Sequence, residues 1–304
     1  MQEVLNKARR FRRRGKATPG TVIDSGEILH EMRLCKDESE LALMRKAATI
    51  TADAHRRAMS CVRPGQNEYQ LEALIRYHFR SNGCTSQAYG SIVGGGDNAT
   101  ILHYVENNMP LEDGDLVLID AGGEYDYYAA DITRTFPVNG RFSEPQKQVY
   151  EIVLQALEAG IEACRPGNTF DDVHQAAVRC LTAGLLELGV LEGDLETLLK
   201  EEAYKPYYMH KTSHWLGLDT HDVGRYFEED EGSRVLKPGM VLTVEPGLYF
   251  NEMHIKPPGK PYLGIGVRIE DDILITEDGY ENLTVSCPKT VADIEALFGS
   301  EELP

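Results

Sequence analysis

The stretch LEDGDLVLIDAG, residues 111–122, superposes without a gap on LKPGMVLTVEPG, residues 236–247. Leu111 falls on Leu236, Gly114 on Gly239, Gly122 on Gly247, and the carboxylate of Asp120 on that of Glu245. Each copy reads as a short apolar strand entered through a glycine turn. Upstream, CVRPGQNEY (61–69) resembles ACRPGNTFD (163–171), each RPG joining two helical patterns. Downstream, Asp131 in AADITRT and Glu270 in RIEDDI are expected to sit alike, one strand further on in each half. Two matches in the same order, each with a carboxylate at the same place, indicate a duplicated helix–turn–helix plus strands unit. Equivalent strands packed about a pseudo-two-fold axis would aim Asp120, Asp131, Glu245 and Glu270 at one point. Carboxylates so gathered either take up protons or are compensated by divalent cations.

The rest of the chain supports a mixed α and β class. A helix is expected from the KDESELALMRKAA segment, with Asp37 and Glu40 as a capping pair and Leu41, Met44, Ala48 and His55 on one face, ending before Arg63-Pro64-Gly65. Further helices are expected from Glu68 to about Arg80, from Ser143 with Gln146 three residues on, and from about Thr169 to Leu188. DLVLIDAG (115–122), MVLTVEPG (240–247) and IGVRIEDDILIT (265–276) read as strands, and 18–30, with Pro19, Gly20 and Gly26, as irregular.

At 304 residues and 42% apolar content the chain can bury one large core or two ordinary ones. No apolar run is long enough to span a bilayer, and MQEVLNKARR lacks the apolar block of a secretory signal. The six cysteines form no metal-binding spacing and fit reduced thiols in a cytoplasm-like compartment. A net charge of -18 argues against nucleic acid as a partner. KARRFRRRGK (7–16), with seven basic residues in ten, departs from that balance. A solvated basic helix or linker is the reading preferred over a nucleic-acid arm or an organellar presequence.

HKTSHWLGLDTHD (210–222) adds three histidines and two aspartates around an apolar centre. Four carboxylates with one imidazole from this stretch, and no sulfur, suit Mn²⁺, Mg²⁺ or Co²⁺. Four acidic side chains neutralise two divalent ions, and two such ions can activate a bridging water against a carbonyl.

DAGGEYDYYAADITRTFPVNG (120–140), HKTSHWLGLDTHDVG (210–224), VEPGLY (244–249), GIGVRIEDDI (264–273) and SIVGGGDNATILHYVENN (91–108) resemble the signatures of the aminopeptidase P family, Xaa-Pro aminopeptidases of the pita-bread metallopeptidases. The similarity covers about residues 30–298. It implies an α+β pita-bread fold of two pseudo-symmetric halves around an antiparallel sheet, occupying 31–304, with 1–30 the linker remnant of an N-terminal domain. The implied metal ligands are Asp120, Asp131, His214, Glu245 and Glu270, holding two divalent ions, Mn²⁺ first and Co²⁺ or Zn²⁺ as alternatives. Glu245 also matches the acceptor of the water proton, His221 the residue stabilising the tetrahedral intermediate, and His103 a histidine near the substrate amine. His210, Tyr249 and Arg268 match residues shaping the proline pocket and supporting the metal carboxylates. His30, His55, His78, His174 and His254 match nothing catalytic. The implied substrates are peptides with proline second, and the family resemblance allows a homo-oligomer. Prolidase, acting on Xaa-Pro dipeptides, and a non-catalytic peptide-binding module are the alternatives. Methionine aminopeptidase shares the five ligands, but DITRTFPV and VRIEDD resemble the proline-specific branch.

Overall fold

The computed structural model describes residues 2–18, 23–228, 232–252 and 261–301; Pro19, Gly20 and His254 lie outside them. In chain order the helices are α1 (Gln2–Arg12), α2 (Gly26–Leu34), α3 (Glu38–Cys61), α4 (Glu68–Ser81), α5 (Glu144–Ala163), α6 (Phe170–Glu187), α7 (Leu195–Lys200) and α8 (Val291–Leu297). The strands are β1 (Ser86–Gln87), β2 (Ile92–Gly95), β3 (Leu116–Asp120), β4 (Gly123–Tyr125), β5 (Tyr128–Ala129), β6 (Thr133–Pro137), β7 (Val241–Val244), β8 (Gly247–Tyr249), β9 (Gly266–Arg268), β10 (Asp271–Ile275) and β11 (Tyr280–Asn282).

The helices begin where capping chemistry places them. Asp37 accepts from the Glu40 amide at 3.0 Å while Glu40 accepts from the Asp37 amide at 2.7 Å, and Ser143 with Gln146 and Thr169 with Asp172 form the same reciprocal box. Val149, Ile152, Val153, Ala156 and Leu157 are buried along one face of α5. α3 packs on β4 and β5, α4 on β2, and α5 on β7, β8 and β9, so the helices cover one side of the strands.

The duplication is visible in the backbone. Gly65 and Gly167, the glycines of the two RPG turns, have φ of 86° and 92°, and Gly114 and Gly239 have 94° and 88°, all in the left-handed region. The Gly65 amide donates to the Leu111 carbonyl at 2.8 Å and the Gly167 amide to the Leu236 carbonyl at 3.1 Å. Each half tethers its helical turn to its strand through the same matched residue.

Both halves then form a long antiparallel hairpin. In the first, Asp120 pairs with Thr133 and Glu124 with Ala129, and the bonds Ala121 to Ile132 and Ala130 to Gly123, both 3.1 Å, carry one register across the gap. In the second, Val244 pairs with Asp271 and Gly247 with Arg268. This places Asp131 opposite Gly122 and Glu270 opposite Glu245. The expectation that Asp131 and Glu270 sit alike is therefore corrected. The register partner of Glu270 in the other half is Thr133, and Asp131 matches Arg268. Alternate residues of a strand share a face, so an offset of two still sends Asp131 to the same side as Glu270.

The halves meet along their return strands. The Glu270 amide donates to the Thr133 carbonyl at 3.0 Å, at the centre of the contact. On one side of it Thr135 Oγ1 donates to the Arg268 carbonyl at 3.0 Å, and on the other the Asp131 amide donates to Asp272 Oδ2 at 3.1 Å. These two flanking contacts exchange under the same residue matching, which is the signature of a pseudo-two-fold axis between Thr133 and Glu270.

Two segments differ from expectation. The sequence of 18–30 predicts an irregular stretch, whereas Gly26–Leu34 is helical. Its sequence leaves Ile28 and Met32 on the surface and so lacks a helix-like apolar face. Long-range ion pairs tie it down instead: Arg33 to Asp219 at 2.7 Å and Glu31 to Arg234 at 2.6 Å. The basic run lies largely on α1 with exposed cationic side chains, as a solvated helix would.

Candidate metal centre

The five acidic and imidazole positions reach one cavity of about 720 Å³ from five separate segments. Asp120 ends β3, Asp131 precedes β6, Glu245 follows β7 and Glu270 precedes β10. His214 comes from the connection between α7 and β7. Its amide donates to Thr243 Oγ1 at 3.1 Å and its carbonyl accepts from the Thr243 amide at 3.0 Å. The Glu245 amide donates to the Thr212 carbonyl at 2.7 Å, extending this connection along β7.

Donor atoms of Asp131, His214 and Glu270 all lie within 4.8 Å of one another. His214 Nε2 is 3.4 Å from Asp131 and 3.9 Å from Glu245, while its Nδ1 lies 3.1 Å from the Trp215 carbonyl. A proton held on Nδ1 by that carbonyl leaves the Nε2 lone pair facing the carboxylates, the tautomer a metal ligand needs. Glu270 accepts from Thr133 Oγ1 at 2.6 Å, and Asp120 accepts from Arg268 at 2.6 Å. Tyr89, on the loop before β2, donates to Asp120 Oδ1 at 2.6 Å and also touches Asp131 Oδ1.

The electrostatics match a site built for cations. Burial, followed by the charge of neighbouring carboxylates, pushes Glu270 well above its ordinary range. Burial raises Glu245 to about 7 against the opposing pull of His214, and raises Asp131 as well. Burial lowers the His214 pKa, but the hydrogen bond to Asp131 and the charge of Glu245 outweigh it and lift that imidazole to about 9. Protons are thus the counter-charge that this donor set collects, and divalent ions compete for the same oxygens and for Nε2. The residues present fit a divalent-metal site.

The remaining expected residues surround this centre. His103, His210, His221 and Arg268 line the cavity, whereas Tyr249 is fully buried behind it. His210 Nε2 lies 2.8 Å from the Tyr249 hydroxyl, which also accepts from Arg268 at 3.0 Å. Burial, with the charge of Arg268, pushes His210 down to about 3 and keeps it neutral. His221 stands edge-on to His214 with ring centroids 4.4 Å apart, and burial lowers its pKa. Among histidines set aside from the sequence, His55 is buried with Nε2 3.0 Å from the Ala121 carbonyl, and His174 Nδ1 is 2.7 Å from Thr212 Oγ1. Tyr89 and Thr133 were missed. A lone tyrosine in a loop and a threonine in a short strand carry no pattern, and only tertiary packing brings them to the carboxylates.

The sequence profile of metallopeptidase family M24 matches residues 42–277. The chain is 50% identical over 298 residues to the Xaa-Pro aminopeptidase of Escherichia coli, covering 98% of this chain and 67% of that protein. It superposes on the structure of Pseudomonas aeruginosa aminopeptidase PepP with a TM-score of 0.92 at 51% identity, over 97% of this chain and 66% of that one. It also superposes on E. coli aminopeptidase P solved with the inhibitor Pro-Leu, with a TM-score of 0.91 at 52% identity, over 96% and 66% of the two chains. The chain spans about two thirds of the length of these relatives. The pita-bread fold expected from the sequence is the fold observed. A duplicated hairpin pair, a buried carboxylate–imidazole centre and this similarity together make the chain a member of metallopeptidase family M24.

Proposed function

We propose that this chain is an Xaa-Pro aminopeptidase, a hydrolase that releases the first residue from peptides with proline second. The observation that carries the reading is the convergence of Asp131, His214 and Glu270 within 4.8 Å, with Asp120 and Glu245 on the same cavity wall. Its chain-long similarity to Xaa-Pro aminopeptidases selects this chemistry within the family. Asp120, Asp131, His214, Glu245 and Glu270 would hold two divalent ions, Mn²⁺ being favoured by oxygen-rich ligation. Bound there, such ions supply the Lewis acidity that polarises a carbonyl and acidifies water.

The chain's own residues do the rest. Glu245, whose carboxylate reaches the cavity beside His214, would take a proton on a carboxylate oxygen and return it to the departing proline nitrogen. His221 stands beside His214 at the cavity surface, where an imidazole N–H can donate to the carbonyl oxygen as charge develops on it. His103 lines the cavity, where it would face the substrate's free amine. His210 and Arg268 form the wall beside the proline ring, and Tyr249 fixes both from behind. An Xaa-Pro bond has no N–H, so a site acting on the carbonyl needs no donor from the scissile nitrogen. The free cysteines support a reading of the protein as one of a reducing compartment such as the cytoplasm, and among the described residues no helix is long and apolar enough to cross a membrane.

The test is release of the first residue from Arg-Pro-Pro and from Gly-Pro by metal-stripped protein, then with Mn²⁺ added. Mn²⁺-dependent cleavage of the tripeptide over the dipeptide is expected. Preference for the dipeptide would make the chain a prolidase, and no cleavage of either with metal bound would leave a binding module.

A further inference from the structure

We infer that Arg33, on α2 and outside the cavity lining, is a positioning residue that holds the His221 loop through Asp219 and Asp222. One guanidinium nitrogen of Arg33 bonds Asp219 Oδ2 at 2.7 Å and also contacts Asp222 Oδ1. These two aspartates bracket Thr220 and His221, both of which line the cavity. The two arms differ in character. The Asp219 side chain is 63% exposed, whereas that of Asp222 is fully buried.

A second cation lies beneath the first. Lys36 Nζ is 3.6 Å from Asp222 Oδ2, with its side chain only 1% exposed. Burial lowers the lysine's pKa and Asp222 opposes that shift. The space around this cluster is closed, since a Cβ at Gly217 would lie 2.2 Å from Asp222 Oδ2 and 2.9 Å from Lys36 Cε. The backbone fastens the loop at its two ends. The Asp222 amide donates to the Trp215 carbonyl at 2.9 Å and the Ala129 amide to the Gly217 carbonyl at 2.9 Å. Between them, residues 218–221 are held by the Arg33–Asp219 pair, the Gly217 amide donating to the Asp219 carbonyl at 3.2 Å, Thr220 Oγ1 on the Ala88 carbonyl at 3.3 Å and the ring contact of His221 with His214.

Among the described residues no hydrogen bond orients the His221 imidazole, so its position is inherited from the loop. A misplacement of about 1 Å can cost on the order of 100-fold when a group must meet a developing charge. Arg33 therefore acts on the reaction through His221, without touching substrate or the carboxylates. The same contact makes α2, a helix with no apolar face of its own, part of the catalytic unit.

This inference rests on the proposed role of His221, and two measurements separate the two. The first is a kinetic cycle on the Mn²⁺-loaded full chain with Arg33→Ala, His221→Ala and the double variant, using Arg-Pro-Pro. Arg33→Ala is expected to lower kcat on the order of 10- to 100-fold with KM and bound Mn²⁺ little changed. In the His221→Ala background it should have no further effect, because its only route is gone. Equal losses in both backgrounds would overturn the inference, as would no loss in either. Arg33→Ala leaves Asp222 beside Lys36, and Asp219→Asn loosens only the exposed arm, so at least one folded variant carries the test. The second measurement needs no turnover: amide hydrogen exchange over residues 216–223. Faster exchange in Arg33→Ala, confined to this loop, supports the tether even if Arg-Pro-Pro is not cleaved and the functional reading fails. Unchanged exchange overturns it.

Discussion

Gly122→Ala tests the hairpin architecture and the metal centre in one step. Gly122 faces Asp131 across the first hairpin, and a Cβ there would lie 1.8 Å from the Ala130 carbonyl oxygen and 3.0 Å from Tyr89 Cε1. Restoring an ordinary contact of 3.4 Å requires the strands to part by about 1.6 Å. Backbone lies on the far side of the clash, so no side-chain rotation relieves it. The strands that must part carry Asp120 on one side and Asp131 on the other, and Tyr89, which bridges them, is displaced too. Overpacking of this severity costs about 3 kcal/mol, which corresponds to a fall of roughly 5 °C in Tm for a chain of this size. Mn²⁺ affinity should fall by on the order of 10- to 100-fold, since a ligand and its hydrogen-bonded support move together. Calorimetric melting and isothermal titration of the metal-stripped protein with Mn²⁺ read both quantities. Gly279→Ala, where a Cβ meets nothing within 4 Å, is the matched control. A Gly122→Ala protein with the melting temperature and Mn²⁺ affinity of the parent would refute the register that sets Asp131 against Gly122.

Other consequences can be checked alongside. Tyr89→Phe removes a charge-assisted hydrogen bond to Asp120, a loss of about 1.5–3 kcal/mol, and should weaken Mn²⁺ binding on the order of 10- to 100-fold while the fold survives; unchanged affinity would deny the hydroxyl a supporting role. Asp131→Ala should abolish peptide hydrolysis with little loss of folding, and a wild-type rate in Mn²⁺ would sink its place in the centre. His221→Ala should reduce kcat by on the order of 10² to 10³ with metal content preserved, and parallel loss of metal and rate would make it structural. Burial holds His55 down to about 4 against an ordinary 6.5, so the unfolded chain binds the extra proton and His55 contributes stability that is present above pH 6.5 and lost as pH falls toward 4. A His55→Gln variant should therefore show a shallower fall in melting temperature than the parent between those limits, and identical slopes would contradict the buried neutral imidazole.

Much of the protein was legible in one dimension because its signals are local or repeated. Capping pairs such as Asp37 with Glu40 depend on residues three apart, and the faces of α3 and α5 on a 3.6-residue period. The internal match of 111–122 to 236–247 exposed the two halves, and with them the carboxylates that gather at the axis. The resemblance of DITRTFPV, HWLGLDTHDVG and VRIEDD to one family supplied the roles. Other features depend on pairings between distant segments, which no local pattern encodes. The offset of Asp131 from Glu270 is set by where each hairpin turns, a property of register rather than of the strands' composition. Tyr89 reaches Asp120 and Asp131 across 31 and 42 residues, and α2 is held by ion pairs spanning 186 and 203 residues. The sequence by itself determined which residue types could gather cations and on which strands they lie, since those follow from short-range order and duplication. Only the tertiary structure decided which of them touch, which one supports another, and how a surface helix comes to grip the loop of His221, because those outcomes are the sum of registers and packings formed when the two halves close.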